Sequence, residues 1–246
     1  MTLLRPSPAV AHAAPLVLFM LITEVTGFFR LENGGAPWYV RAPEHWVYPL
    51  QCIILGAVLW TWRKSYVLSP WTGFTLAVGC GVVGIAVWLM PGLLYERWIG
   101  AGSAPSWWEW VGLVPHKDGF YPGVFADGSA AWWGTVLLRF VRMVIIVPLV
   151  EELFWRGFLM RYLQAGDKSI LSVPFGQHSW SAFWVTTLAV TFVHHASDRP
   201  AAFVWGSLVY WVAVKTKSLG ACVLMHAVGN LLLGLHIINT QQWGYW

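Results

Sequence analysis

The chain has 246 residues, of which 57% are hydrophobic, 16% are aromatic and only 11% are charged. A soluble domain carries about 25% charged residues, so this chain has too few charges to surround a single core with a water-exposed surface. The same composition excludes intrinsic disorder, because disordered chains are polar and rich in charge. The sequence therefore predicts an all-α polytopic membrane protein, a bundle of about seven to eight transmembrane helices at about 20 residues per span.

Basic residues set the predicted orientation of this bundle. The formal net charge is +4, and in a chain of apolar spans such residues flank the cytoplasmic ends of helices rather than bind nucleic acid. With seven spans, seven basic loop residues fall on the amino-terminal side and five on the other, which favours a cytoplasmic amino terminus. The seven are Arg5, Arg63, Lys64, Arg161, Lys168, Lys215 and Lys217, and the five are Arg30, Arg41, Arg97, Lys117 and Arg199.

Seven apolar runs, separated by polar or basic segments, each predict one span. They lie at about residues 14–29, 47–62, 71–90, 131–163, 180–195, 201–214 and 219–239. The segment 91–130 differs, since its tryptophans stand among glycines, prolines and scattered charges. This pattern is typical of a loop or a helix that lies in the membrane interface.

The first group of ionisable residues inside an apolar run is the EExxxR sequence at 151–156. Glu152 and Arg156 are four residues apart, so they can pair on one helix face, and this pair could serve only to pin two helices together. Glu151 points about 100° away and is left without that partner. A carboxylate in such a position can act as a general base. Pro148 removes a backbone donor just before the pair and can kink the helix there.

Histidines and an asparagine form two further groups. His194 and His195 end the fifth run, and because neighbours on a helix project about 100° apart, only one of them is expected to face a shared site. His226 and Asn230 are four residues apart in the seventh run, and both are costly in lipid, so their common face is expected to point into the bundle. Taken separately, these residues could simply be an interfacial histidine and an interhelical hydrogen bond.

Together, the three groups place a carboxylate, a histidine and a His/Asn pair on three apolar helices. Such a set can activate a water molecule and stabilise a developing oxyanion. It could also bind zinc through Glu151, His195 and His226, since two histidines and a glutamate form a known catalytic ligand set. With these spans, His195 lies at the end of its span that is far from the level of Glu151 and His226. It can reach them only if this span starts deeper in the membrane or if one span is miscounted.

With these motifs in order, the sequence resembles the CAAX prenyl protease 2 and bacteriocin-processing family (CPBP, also called Abi) of intramembrane proteases. Members of that family show EExxxR, FxxxH and HxxxN on successive spans. The first motif matches residues 151–156 and the third matches 226–230, whereas Thr191 stands four residues before His195 in place of the phenylalanine. The resemblance covers about residues 131–235 and implies an intramembrane endopeptidase.

The resemblance implies a role for each motif residue. Glu151 with His195 would activate the attacking water, with His194 as the alternative to His195. His226 and Asn230 would stabilise the tetrahedral oxyanion. The family has been described both as glutamate-type and as metal-dependent. We favour the glutamate type, which requires no cofactor, because the asparagine suits an oxyanion hole better than a zinc site.

Glu152 and Arg156 would brace the first motif and tune Glu151. The aromatic tail at 241–246 resembles a bacterial subgroup found with exosortase sorting systems, which implies a multi-pass protein of the bacterial inner membrane. Its partners would be membrane lipids, a membrane-associated protein or peptide substrate and an exosortase-type sorting system. On this interpretation, residues 1–130 are amino-terminal helices plus an aromatic interfacial loop, and residues 131–246 are the catalytic core of one integral membrane domain.

Two other functions stay open at this point. The same fold can serve as a non-enzymatic immunity or assembly factor in the membrane, because a fold does not fix a function. The glutamates and histidines could also form the proton relay of a transporter. Many transporters are built from repeats, and no internal repeat is seen here.

Overall fold

The computed structural model describes residues 6–31, 33–98, 107–108, 112, 116 and 119–246. In this part of the chain the regular structure is entirely helical, so the all-α prediction is confirmed. The predicted orientation rests partly on Arg5 and Lys117, which lie outside the described residues.

Within the described ranges, seven helices correspond to the seven apolar runs, and a short additional helix precedes the second of them. Their bounds are α1 (Pro8–Thr26), α2 (Trp38–Arg41), α3 (Glu44–Trp62), α4 (Phe74–Trp98), α5 (Ala130–Ala165), α6 (Trp180–Val193), α7 (Arg199–Thr216) and α8 (Leu219–Thr240). Four of the described helices, α1, α4, α5 and α8, are long and apolar enough to cross a membrane, fewer than the predicted seven to eight. The apolar helix α6 has only 14 residues.

The end of α4 differs from the prediction. The sequence predicts that this helix ends at residue 90, before Pro91, but the helix continues through Pro91 to Trp98. A proline inside a membrane helix is tolerated because neighbouring groups can satisfy the freed backbone carbonyl. The first part of the predicted interfacial segment is therefore helical, and Trp110 of that segment lies outside the described residues.

The centre of the bundle is the packing of α8 against α4 and α7. Small residues allow these helices to approach closely, as is typical of membrane helices. A Cβ atom on Gly81 of α4 would lie 2.8 Å from the backbone carbonyl oxygen of Met225 in α8. A Cβ atom on Gly84 would lie 2.6 Å from the indole of Trp205 in α7. The three helices therefore form a compact support for the residues of α8.

The helix α5 is irregular at the EExxxR motif. Two π-helical stretches, Arg142–Ile146 and Leu153–Leu159, flank the regular turn Val147–Glu152. Pro148 contributes to the first irregularity because it lacks an N–H donor and its ring clashes with the carbonyl four residues earlier. π-helical turns inside α-helices occur frequently at functional sites. The two glutamates thus sit between two widened turns.

The start of α6 explains how His194 and His195 can reach the site. Just before α6, the Nδ1 atom of His178 lies 3.1 Å from the hydroxyl oxygen of Tyr210, and that hydroxyl donates to the carbonyl of Ser179 at 3.0 Å. Tyr210 lies six residues before the end of α7 at Thr216, which corresponds to about 9 Å along the helix. The start of α6 therefore lies beside α7 at a level about 9 Å before the end of that helix.

Candidate active site

A cavity of about 430 Å³ lies between α5, α6 and α8. It is lined by five of the residues that the motifs predicted, which are Glu151, His194, His195, His226 and Asn230. The volume falls within the range of about 300–1,000 Å³ that is usual for ligand sites. The three separate sequence motifs thus meet around one cavity.

Glu152 and Arg156 form an ion pair behind this cavity. Arg156 Nη1 lies 3.1 Å from each carboxylate oxygen of Glu152, and both side chains are almost completely buried. Arg156 Nη2 donates to the backbone carbonyl of Gly206 in α7 at 3.2 Å. The predicted pairing is present, and it also ties α5 to α7. Burying two charges is costly unless such additional hydrogen bonds support them.

His226 is the third member of this buried network. Its Nδ1 lies 2.9 Å from Glu152 Oε1, so Nδ1–H donates to the carboxylate. Its ring packs edge-on against Trp205, with ring centroids 5.5 Å apart. A Cβ atom on Gly229 would lie 2.4 Å from that indole, so only glycine leaves room for it. These contacts fix the imidazole and leave Nε2 as the nitrogen available to a ligand.

Asn230, one turn after His226, has its amide fixed by α5. Asn230 Nδ2 donates to the backbone carbonyl of Met143 at 2.6 Å. Met143 belongs to the first π-helical stretch of α5. An amide nitrogen carries two N–H groups, so one donor of Asn230 is left.

Glu151 lies in different surroundings from its neighbour. It lines the cavity and is half-buried. No group in the described ranges makes a hydrogen bond or a close ion pair with its carboxylate, although it lies within electrostatic range of Arg142. Its oxygens are therefore free to accept a proton from a bound water.

The two histidines at the end of α6 also differ from each other. His194 is half-buried, its Nδ1 donates to the carbonyl of Val190 at 2.7 Å, and its ring packs against Trp88 at 5.3 Å. This hydrogen bond places the proton of the neutral ring on Nδ1 and leaves Nε2 as an acceptor. His195 lines the same cavity but is exposed. The geometry therefore makes His194 the better-oriented residue.

The described donor side chains around the cavity are too far apart for a metal site. Among the described residues, no three His, Cys, Asp or Glu side chains lie close enough together to hold a metal ion. The predicted zinc ligands Glu151, His195 and His226 are therefore not grouped closely enough to bind one metal ion in this arrangement.

The cavity contains residues that the motifs did not predict. Arg139 and Arg142, about two to three turns before the glutamates in α5, line the cavity with Tyr48 of α3. His116 Nε2 lies 2.8 Å from Asp198 Oδ1 at another part of the wall. The sequence does carry a signal for the two arginines, because they are charged residues inside an apolar run. The positions of Tyr48 and His116 depend on tertiary packing and have no such signal.

Residues 132–232 match the family model for Rce1-like proteins, described as type II CAAX prenyl endopeptidase Rce1-like. No curated protein and no solved structure matches the chain. The matched segment begins in α5 and ends in α8, so it contains all three motifs and the helices that hold them. With its four long apolar helices, the chain is an integral membrane protein. Over residues 132–232, which are less than half of the chain, the protein is thus similar to Rce1-like type II CAAX prenyl endopeptidases.

Proposed function

We propose that the chain is an intramembrane endopeptidase that hydrolyses a peptide bond of a membrane-associated protein with a water molecule activated by Glu151. The observation that carries this proposal is the single cavity lined by a free carboxylate, two histidines and the His226/Asn230 pair. The match to a family of endopeptidases supports it. The substrate would be a lipidated or carboxy-terminally sorted protein delivered through the membrane.

The first step is the attack of water on the scissile carbonyl. Glu151 accepts one proton of the water, and the lone pair on His194 Nε2 orients the other, since Nδ1 of that ring is held by Val190. General-base catalysis of this kind contributes about 10²–10⁴-fold to the rate. The water oxygen bonds to the carbonyl carbon, and the carbonyl oxygen becomes an oxyanion.

The oxyanion is stabilised from α8. The remaining N–H of Asn230 is one donor, and His226 is the other when it carries a proton on Nε2. Glu152 accepts from Nδ1 of His226 and so fixes the orientation of the ring that provides this second donor. A carboxylate at Nδ1 orients the imidazole in the same way in serine-protease triads.

The second step breaks the peptide bond. The C–N bond of the tetrahedral intermediate cleaves, and Glu151 returns its proton to the leaving amine. The products are a new carboxyl terminus and a new amino terminus, and Glu151 is again a carboxylate. Glu152 and Arg156 take no proton and hold His226 in place.

Three further parts of this proposal rest on other observations. A glutamate-type mechanism is favoured over a zinc mechanism because the described donors form no metal cluster. A bacterial inner membrane and an exosortase-type sorting system as partner rest on the resemblance of the aromatic tail at 241–246. A cytoplasmic amino terminus rests on the loop charges.

The test is cleavage of a membrane-anchored peptide pool by the purified protein in lipid nanodiscs. Glu151→Gln keeps the shape of the side chain but cannot accept the proton, so we expect at least a 10²-fold loss of rate. Glu24→Gln is the matched control, because Glu24 lies in the apolar helix α1, is exposed and does not line the cavity. Both variants are run with and without a chelator.

Loss of cleavage in Glu151→Gln alone, with no effect of chelator, would support the glutamate mechanism. Loss with chelator would support zinc instead. Equal cleavage by Glu151→Gln and wild type would contradict the proposed role of Glu151. Absence of cleavage by folded wild type would favour a non-enzymatic partner, and proton-coupled flux in liposomes without proteolysis would favour a transporter.

A further inference from the structure

Two arginines of α5 are buried in the wall of the cavity without a role in the proposed reaction. Arg139 and Arg142 are three residues apart, only 9% and 7% exposed, and both line the cavity beside Glu151. An arginine at the centre of a membrane helix costs about 2.5–3.5 kcal/mol on insertion scales. Two such residues side by side also repel each other, so their presence requires a compensating interaction.

The protein supplies only part of this compensation. Arg142 Nε donates to Gln51 Oε1 at 2.6 Å, and its guanidinium lies over the rings of Tyr48 and Phe19 at 4.0 and 4.6 Å from their centroids. These contacts orient Arg142, but none of them brings a negative charge.

Arg139 is less well satisfied. Its Nε and Nη1 are buried and have no hydrogen-bond partner, while its guanidinium lies 5.2 Å from the ring centroids of Tyr48 and Phe120. Across the described ranges, no carboxylate oxygen lies within 4.0 Å of either guanidinium. Unpaired buried donors of a charged group are rare in folded proteins and call for an explanation.

We propose that Arg139 and Arg142 form an anion-binding subsite for a carboxylate or phosphate group of the ligand that occupies the cavity. The planar guanidinium offers paired N–H donors that match the oxygens of such groups. The identification of this ligand as the peptide substrate, bound through a carboxylate, rests on the proposed function. A lipid headgroup phosphate is the other source of the same chemistry.

The charges around the cavity agree with this assignment. Asp198 also lines the cavity, but its Oδ1 is engaged by His116 at 2.8 Å. Glu151 is then the one side-chain carboxylate among the described lining residues without a hydrogen bond or close ion pair, and it lies within electrostatic range of Arg142. This region keeps a net positive charge even when Glu151 is ionised, so an anionic group of the ligand can bind beside the proposed base.

The test measures binding separately from cleavage, in the Glu151→Gln background and in nanodiscs of neutral lipid. A short apolar peptide with a free terminal carboxylate is compared by calorimetry with the same peptide ending in an amide. We expect the acid to bind at least tenfold more tightly, and Arg139→Gln to abolish this difference. Arg139→Lys keeps the positive charge but lacks the paired N–H donors of the guanidinium. It should therefore retain part of the preference for the acid.

Arg161→Gln is the matched control, because Arg161 is equally buried on the same helix but donates to the carbonyl of Val173 and does not line the cavity. It should keep the full preference for the acid. Thermal unfolding of each variant verifies that the protein folds, and Arg142→Gln provides a second test if Arg139→Gln does not fold.

Nanodiscs that contain anionic phospholipid distinguish the two sources of the anion, the peptide carboxylate and the lipid phosphate. Unchanged peptide affinity supports the peptide carboxylate, and competition by the lipid in a manner that depends on Arg139 assigns the subsite to a headgroup phosphate. Equal binding of acid and amide without such competition, or a preference for the acid that survives Arg139→Gln, would overturn the proposal. A preference for the acid in a protein that cleaves nothing would refute the proposed function while leaving the subsite intact.

Discussion

Glu151 and Glu152 are neighbours in the sequence, but their carboxylates lie in different surroundings. Glu152 is completely buried and is shared between Arg156 and His226. Glu151 faces the cavity and has no hydrogen bond to the described part of the protein. Because adjacent side chains on a helix project about 100° apart, the same local sequence supplies one structural and one reactive carboxylate.

The structural role of Glu152 predicts a large loss of stability in Glu152→Gln. The change leaves Arg156 buried without its charge partner, and breaking such a pair costs roughly 3–5 kcal/mol. Chemical unfolding of the purified protein measures the change. Glu24→Gln on the exposed face of α1 should have almost no effect, and equal stability of the two variants would contradict the role given to Glu152.

The two adjacent histidines make a second prediction at this scale. His194 is held by Val190 and Trp88, whereas His195 is exposed, so His194→Ala should reduce kcat/KM by about 10²–10⁴-fold and His195→Ala by much less. Steady-state cleavage of one substrate by both variants measures this difference. A larger loss in His195→Ala would restore the residue that the sequence favoured.

The sequence contains part of this arrangement. The spacing of Glu152 and Arg156 predicts their pairing, because residues four apart share a helix face. Glu152 and His226 are 74 residues apart in the chain and lie on different helices. No local sequence pattern predicts their contact. The choice between His194 and His195 depends on where α6 ends, and a pattern of apolar residues does not locate a helix end that closely.

At the scale of the helices, the close packing of α4 against α8 depends on glycine, which has no side chain. Gly81→Ala places a Cβ atom against the backbone carbonyl of Met225, which cannot move without shifting α8. We expect this variant to lose roughly 1–3 kcal/mol of stability. Gly79→Ala on the same helix is the control, since nothing lies within 4 Å of its added Cβ, and it should be neutral or slightly stabilising.

Thermal unfolding in detergent compares the two variants. Equal stability of Gly81→Ala and Gly79→Ala would show that α4 and α8 do not approach each other as closely as described. A difference in stability of the predicted sign would support the helix packing that holds His226 and Asn230 at the cavity.

Apolar runs predict the positions of the seven main helices, although the runs at 180–195 and 201–214 are shorter than the about 20 residues of a typical span. Three features of these helices are not contained in that pattern. The helix α4 continues past Pro91, α5 contains two π-helical stretches, and the start of α6 contacts α7 at Tyr210, well before the end of that helix. Each of them depends on contacts with other helices, which a run of apolar residues does not specify.

For the whole molecule, the testable property is its orientation in the membrane. Gly34 and Lys64 are exposed in the loops before and after α3. The seven-span prediction, in which α3 crosses the membrane, places these loops on opposite sides of the bilayer. With a cytoplasmic amino terminus, a membrane-impermeant maleimide added outside should label Gly34→Cys and not Lys64→Cys. The native Cys80 and Cys222 are buried and should stay unlabelled.

The unmodified protein is the control for this labelling. The reverse pattern, with Lys64→Cys labelled from outside, would contradict the cytoplasmic amino terminus. Labelling of both positions from the same side would show that α3 does not cross the membrane, which would also change the side from which a substrate reaches the cavity.

In the proposed mechanism, Glu151 and His194 act on the same water molecule. A double-mutant cycle tests it most directly, with single-turnover cleavage measured for wild type, Glu151→Gln, His194→Ala and the double variant. Residues that act as one unit show grossly non-additive effects. We therefore predict that the double variant is about as slow as Glu151→Gln alone. A double variant whose loss equals the product of the two single losses would show that the residues act independently and would contradict the account.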